Sequence, residues 1–297
     1  MRTLGFYAIA ALALLLSASA FCADVWKVSS KSGYLYLGGT FHLLTPADYP
    51  LPREYAIAYD AAKTLVLETD LDRLRDPAFQ PLLLAAVSYD KGQKVTSMLK
   101  PATLKQLEDY LATRNMTLAD VASLRPGMLS MTLSIVEMKY LGLTGTGVDE
   151  YFQQRAKKDG KKIQWFETAE QQLQLIADMG KGYEDDLVVY TLQDMKDMPA
   201  MMSDMKKAWR EGDSTALETI ALASSEHDFP ALMESMLFAR NDKWMPVIEQ
   251  MLASKDTELV LVGALHLVGK RGLLSQLQQR GYTVEKTVEK VAAAGVH

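Results

Sequence analysis

The stretch Tyr34-Leu-Tyr-Leu-Gly-Gly-Thr-Phe-His42 decides how this chain is read. An alternating apolar run stops at two glycines, and a histidine stands three residues after the second. Alternation of this kind marks a strand. The same device returns near the C-terminus as Leu259-Val-Leu-Val-Gly263-Ala-Leu-His266. The chain has 18 glycines and 4 histidines in 297 residues, so two Gly-x-x-His units, each closing a strand-like run, point to one bipartite site. The expectation is that N- and C-terminal strands meet in one sheet. Both histidines would then stand at the strand ends, where α/β folds hold their ligands.

Upstream, the chain opens Met1-Arg2, runs apolar over 4–16 and reaches Ser17-Ala-Ser-Ala20. These are the three parts of a secretory leader, and the apolar centre is too short to span a membrane. Residues 1–20 are expected to be removed and 21–297 to form a single domain. That domain would be exported, periplasmic or secreted, without stable membrane insertion. Cys22 is the only cysteine, which excludes an internal disulfide. Bulky Phe21 before it argues against lipid attachment. The formal net charge is −5, and loss of Arg2 would make it one unit more negative. An acidic chain argues against nucleic acid as partner.

Downstream, 25–30 and 34–37 flank Ser30-Lys-Ser-Gly33 as a hairpin. Residues 53–63 carry helical spacing, and Thr64-Leu-Val-Leu-Glu68 is a short buried-type strand ending on a carboxylate. The segment 76–140 reads as helical, with Thr103 as a helix cap, a capping box at Thr117-Leu-Ala-Asp120 and a buried helix over 128–141. Gly142-Leu-Thr-Gly-Thr-Gly147 is turn-rich but lacks the Gly-Lys-Ser/Thr of a phosphate loop. Asp149 and Glu150 open a helix over 148–158, where acids suit the helix dipole. Lys161 to Phe166 is a strand ending at Glu167, repeating the grammar of 63–69. Over 171–223 the pattern is helical, and Met195, Met198, Met201, Met202 and Met205 read as packing rather than as a soft-cation array. His227 falls in a polar turn, Pro246 in the first turn of a helix, and 257–262 is the last buried strand. A helix over 270–280, a strand over 281–284 and a solvated His297 complete the chain. The expected fold is α/β, a mixed sheet built from N- and C-terminal segments. A large helical insertion would occupy about 76–145 and 171–255.

His42, His266 and Glu68 at strand ends have the composition of a divalent-metal site, since imidazole and carboxylate suit Mn, Co or Zn. Glu68 would be a ligand, or a base acting on metal-bound water. Arg240 and Asn241 would bind a substrate carbonyl or stabilise an oxyanion. Gly39 and Gly263 would allow tight turns and close approach, with Thr40, Asp149 and Glu167 as further pocket residues. Each has a plainer reading: a strand-end histidine bonded to a carbonyl, a surface glutamate, an arginine capping the preceding helix. For the two histidines together, the site is the stronger reading. HExxH, a serine nucleophile elbow and a cysteine nucleophile are all absent from the sequence.

These residues resemble the TraB/PrgY/GumN family, related to the Tiki Wnt-inactivating metalloproteases. The resemblance lies in Leu37-Gly-Gly-Thr-Phe-His-Leu43, Val66-Leu-Glu68, Gly147-Val-Asp-Glu-Tyr151, Phe166-Glu-Thr-Ala-Glu-Gln171, Arg240-Asn241 and Gly263-Ala-Leu-His-Leu267. It spans nearly the whole chain after the leader and looks most like the GumN branch. It implies one pocket, with His42 and His266 as ligands or catalytic groups, Glu68 as ligand or base, and Arg240 and Asn241 on the substrate side. For the Tiki proteins it implies peptidase activity with Mn- or Co-like ions. Glu167 lies in a family-typical segment without an assigned role. The expected function is an exported metal-dependent hydrolase of peptides or proteins. The competing class is a non-catalytic periplasmic binder of metal, haem or peptide.

Overall fold

A computed structural model describes residues 23–90 and 92–288. The leader-like segment 1–20, Cys22 and His297 lie outside the described residues. The chain begins as the expected hairpin, β1 (Val25–Ser29) and β2 (Tyr34–Thr40), paired antiparallel from Val25↔Gly38 to Ser29↔Tyr34. A two-residue strand β3 (Leu43–Leu44) follows the first histidine. Helix α1 (Arg53–Ala61) buries Tyr55, Ala58 and Tyr59, the three- and four-residue spacing of a core-facing stripe, and leads into β4 (Thr64–Thr69).

The helical segment then comprises α2 (Leu71–Arg75), α3 (Gln80–Val87), α4 (Pro101–Thr113), α5 (Leu118–Val121) and α6 (Pro126–Tyr140). The capping box at Thr117 forms with Asp120. Thr103 does not cap: Lys100 stands at the cap, Pro101 takes the first turn, and Thr103 is buried inside the helix. Proline fits that first turn because its missing N–H is unpaired there in any case. The glycine-rich loop supplies β5 (Gly145–Thr146), which pairs with β3, and then α7 (Val148–Asp159) and β6 (Lys162–Glu167).

A second helical run holds α8 (Ala169–Asp178), α9 (Glu184–Glu211), α10 (Ser214–Ala221), α11 (Ala223–Asp228), α12 (Pro230–Met233), a π-helical turn (Glu234–Phe238) and α13 (Ala239–Ala253). His227 is exposed, but on α11 rather than in a turn. Pro246 sits in the interior of α13, not its first turn, because that helix already starts at Ala239. Met195 and Met198 pack with α4 and α6, and Met205 packs in the main core, as gap-filling side chains do. The chain closes with β7 (Glu258–Gly263), a 3-10 turn (Ala264–His266), α14 (Leu273–Gln279) and β8 (Thr283–Lys286).

The six-stranded sheet has the order β6-β4-β7-β2-β1-β8 and is mixed, as expected: β6, β4, β7 and β2 run parallel, and β1 runs antiparallel to both its neighbours. The N-terminal β2 and C-terminal β7 lie side by side, with Leu37 opposite Val260 and Thr40 opposite Gly263. Strand β7 is buried from Glu258 to Val262, and its residues 259–262 are the continuous apolar run expected of a central parallel strand. Among the described residues, no helix is long and apolar enough to cross a membrane.

Candidate active site

The register delivers Thr40, Gly263, Glu68 and Glu167 to one edge of the sheet. At the first Gly-x-x-His unit, Thr40 Oγ1 donates to Asp149 Oδ1 at 2.6 Å and His42 Nδ1 lies 2.8 Å from Asp149 Oδ2. Asp149 reaches them from the first turn of α7, which is pinned there by Val148 N–H donating to the Phe41 carbonyl at 3.0 Å. The close approach needs a glycine: a Cβ on Gly147 would stand 2.2 Å from the His42 carbonyl oxygen. Behind the unit, the Gly39 carbonyl accepts from Tyr55 Oη and from Trp209 Nε1 at 2.8 Å, which fixes the turn against the core. The reading of Asp149 as a helix-dipole acid thus captured its place on the helix but not its partners.

At the second unit, Asn241 Nδ2 donates to the carbonyls of His266 and Arg271 at 3.1 and 3.0 Å. Two carbonyl acceptors fix the amide's orientation, so Asn241 Oδ1 faces His266 Nδ1 at 2.7 Å and that nitrogen carries the proton. His266 Nε2 is then an acceptor, 3.0 Å from an Arg240 amino group, because arginine only donates. All five Arg240 N–H groups are engaged. They meet the Met236 carbonyl at 3.1 Å, His266, Glu68 Oε2 at 2.5 Å, and both Glu167 oxygens at 2.9 Å. The contact to Met236 is not the helix-end cap expected from sequence, because the helical run continues unbroken from Pro230 through the π-helical turn into α13. Arg240 and Asn241, 7% and 0% exposed, therefore organise the pocket from behind.

Glu68 Oε1 accepts the Gly263 N–H at 2.7 Å. Glu167 was the pocket residue without a role; it grips Arg240 and accepts from Trp244 Nε1 at 3.1 Å. The register pairs Thr69 with Glu167, so the two glutamates are one residue out of step, yet both converge on the same guanidinium. Trp244, which the sequence reading missed, stacks on Phe166 and lies 4.5 Å from the His266 ring and 4.6 Å from Arg240. Its only trace in the sequence is its place four residues after Arg240 on one helix face.

The titratable groups are driven apart. The Asp149 carboxylate, 2.8 Å away, raises His42 to about 9; with 70% of its side chain exposed, burial opposes this only weakly. Burial lowers His266 to about 4, so it is neutral at pH 7. Burial pushes Glu68 up, but the positive charges of His266, Arg240 and His42 and the Gly263 amide outweigh it and hold the carboxyl at about 2. With His266 neutral at pH 7, Arg240, His42 and the amide hold Glu68 ionised there.

Gly263 opens the space these groups share. A Cβ at this position would lie 3.4 Å from Glu68 Oε1, 3.7 Å from His266 Cδ2 and 3.9 Å from His42 Nε2. A catalytic ion of the zinc type takes about three protein ligands and an open position. Here His42 Nε2 and Glu68 Oε1 border the gap, while His266 Nε2 is occupied by Arg240. No group of three or more His, Cys, Asp or Glu side chains among the described residues is placed to hold an ion. This arrangement of donors does not fit a protein-held Mn, Co or Zn ion.

No curated protein and no solved structure matches the chain. The sequence model of one family does match, over residues 24–286, from the buried Asp24 through both Gly-x-x-His units to the last strand. The chain belongs to the TraB/PrgY/gumN family.

Proposed function

We propose that this chain is an exported hydrolase that cleaves acyl bonds of peptide type in the gap before Gly263, using Glu68 and His42. The observation that carries it is the convergence of Glu68 Oε1 and His42 Nε2 on the space before Gly263, with the carboxyl held down to about 2 and the imidazole raised to about 9 by their neighbours. Widely separated pKa values in one pocket are how acid and base roles are divided. The peptide bond comes from the family resemblance, and export from the leader pattern in residues 1–20.

In this reading, water in the gap attacks the carbonyl carbon while Glu68 Oε1 takes its proton. A carboxyl of pKa about 2 is a weak base in the open pocket. A substrate that displaces the remaining water around Glu68 Oε1 would disfavour the charged carboxylate and so increase its basicity. His42 Nε2–H, held in place by Asp149, donates to the carbonyl oxygen as negative charge develops there. The tetrahedral intermediate collapses as protonated Glu68 returns its proton to the leaving amine. Arg240 and Asn241 hold Glu68 and His266 without touching substrate.

The deciding experiment is a peptide-library digest by wild type, Gly263→Ala, His42→Gln and Glu68→Gln. The Gly263 backbone is compatible with alanine, and the added methyl meets only ordinary contacts. Gly263→Ala is therefore expected to keep its melting temperature and lose at least a hundredfold in kcat/KM. Cleavage by Gly263→Ala or Glu68→Gln at the wild-type rate would sink the reading. Turnover abolished by chelation and restored by Mn, Co or Zn would move water activation to an ion at His42 and Glu68. Peptide binding without turnover would make the chain a binding protein.

A further inference from the structure

Strand β6 is one edge of the sheet. Among the described residues it pairs with β4 on one side only, so every second residue of Lys162–Glu167 turns its N–H and C=O away from the sheet. Open edges are normally covered, shortened, charged or broken by proline, and in β6 a single lysine at the start of the strand is the one such device. Here Lys162, Gln164 and Trp165 are exposed, Trp165 at 44%, and the strand contains no proline. An exposed tryptophan beside unpaired backbone combines the two things strand addition uses: main-chain hydrogen bonds for affinity and a side-chain contact for selectivity.

The edge also leads to the site. β6 ends at Glu167, which holds Arg240 at 2.9 Å, and Arg240 holds Glu68. Strands are spaced by about 4.8 Å, so a strand added outside β6 lies three spacings, about 14 Å, from β7 and Gly263. About four extended residues cover that distance. A peptide paired along β6 can therefore cross the strand ends and present a bond to the gap a few residues beyond its paired segment.

We infer that the open edge of β6 docks an extended peptide, which joins the sheet as a seventh strand and is led to the gap before Gly263. The fate of the peptide rests on the hydrolase reading above; its docking does not. Trp165 selects an apolar side chain, and the exposed Lys162 ammonium at the start of the strand favours an acidic one.

The test is amide hydrogen exchange on the full-length Glu68→Gln protein, chosen because the hydrolase reading makes it inactive. The probe is a synthetic decapeptide of alternating valine and threonine carrying one glutamate. Protection of alternate amides within 162–167, with a blue shift of Trp165 emission, is expected. Trp165→Lys, a surface change, should weaken binding of the decapeptide about tenfold and, placed in the enzyme with Glu68 intact, raise its KM by a similar factor. Unchanged exchange in 162–167 at saturating peptide overturns the inference. So does protection that appears without peptide and grows with protein concentration, because a second copy would then occupy the edge. The two proposals fail separately. A peptide that protects β6 but is never cleaved by wild type leaves docking intact and removes the hydrolase. Cleavage with no β6 protection does the reverse.

Discussion

Arg240 is the residue on which the pocket's charges close. It stands between two carboxylates and a neutral imidazole, 7% exposed, with every N–H used. Arg240→Ala would leave the largely buried Glu167 without its cation and Glu68 with only the His42 charge and the Gly263 amide, and removing one partner of such a group costs about 3–5 kcal/mol. Urea unfolding at pH 7 should show a loss of that size. A loss under about 1 kcal/mol would show that water replaces the guanidinium freely. His266 gives a pH signature of its own. Its folded pKa is lowered from 6.5 to about 4, so folding favours the neutral ring. Its stabilising contribution is complete above pH 6.5 and is lost as pH falls from there through 4. The loss is of the order of 3 kcal/mol at one pKa unit per 1.36 kcal/mol. Unfolding free energies at pH 7 and pH 4.5 should differ accordingly in wild type, and less in His266→Gln. His42 has the opposite sign, raised to about 9, so a step that needs its proton holds below that value and fails as pH rises through it. A rate that instead climbs above pH 9 would remove His42 as donor.

At the scale of elements, the decisive contact is between the N-terminus of α7 and the turn after β2. The carbonyl of His42 would lie 2.2 Å from a Cβ on Gly147, although the backbone there, φ −75°, suits any residue. The strain of Gly147→Ala is thus purely a collision, relieved by moving α7 outward at a cost of about 1–3 kcal/mol. Moving α7 withdraws Asp149 from His42. The variant should show the His42 imidazole titrating closer to 6.5 by NMR, and an unshifted titration would mean the helix had not moved. This contact also marks what could be read from sequence. The strands, their Gly-x-x-His endings and Glu68 were legible because a two-residue period and a glycine leave local traces. The pairing of Asp149 with His42 spans 107 residues and leaves none. Nor do the five contacts of Arg240, because what aims its side chain is a π-helical turn before α13, and no local pattern announces that turn. The misplaced cap at Thr103 and the misplaced Pro246 have a common cause. A proline marks a first turn only when the helix start is known, and α4 and α13 begin where their packing sets them.

For the whole molecule, the sheet order carries a constraint that the chain order hides. Strand β7 arrives after more than 200 residues of chain, yet it lies between β4 and β2, which flank it in parallel. Until it inserts, the first Gly-x-x-His unit and Glu68 belong to strands that do not touch. The N-terminal hairpin, both helical runs and the β4–β6 pair can all be made before the centre of the sheet exists. Contacts of such sequence separation are slow to form, since a long loop must close first. A chain ending at residue 255 therefore has helices that can form and a sheet that cannot. It should show substantial helical circular dichroism with poor dispersion of methyl resonances and a broad, weakly cooperative melt. Supplying residues 256–288 as a separate peptide should restore dispersion, because the missing strand brings Leu259, Val260, Leu261 and Val262, each 0% exposed in the whole chain. Restoration would also return Gly263 and His266 to the pocket, so on the proposed hydrolase function peptide cleavage should reappear in step with the fold. A truncated chain that already melts cooperatively would mean that β2 and β4 can close on each other without β7. The parallel centre would then follow from the rest of the fold rather than organise it.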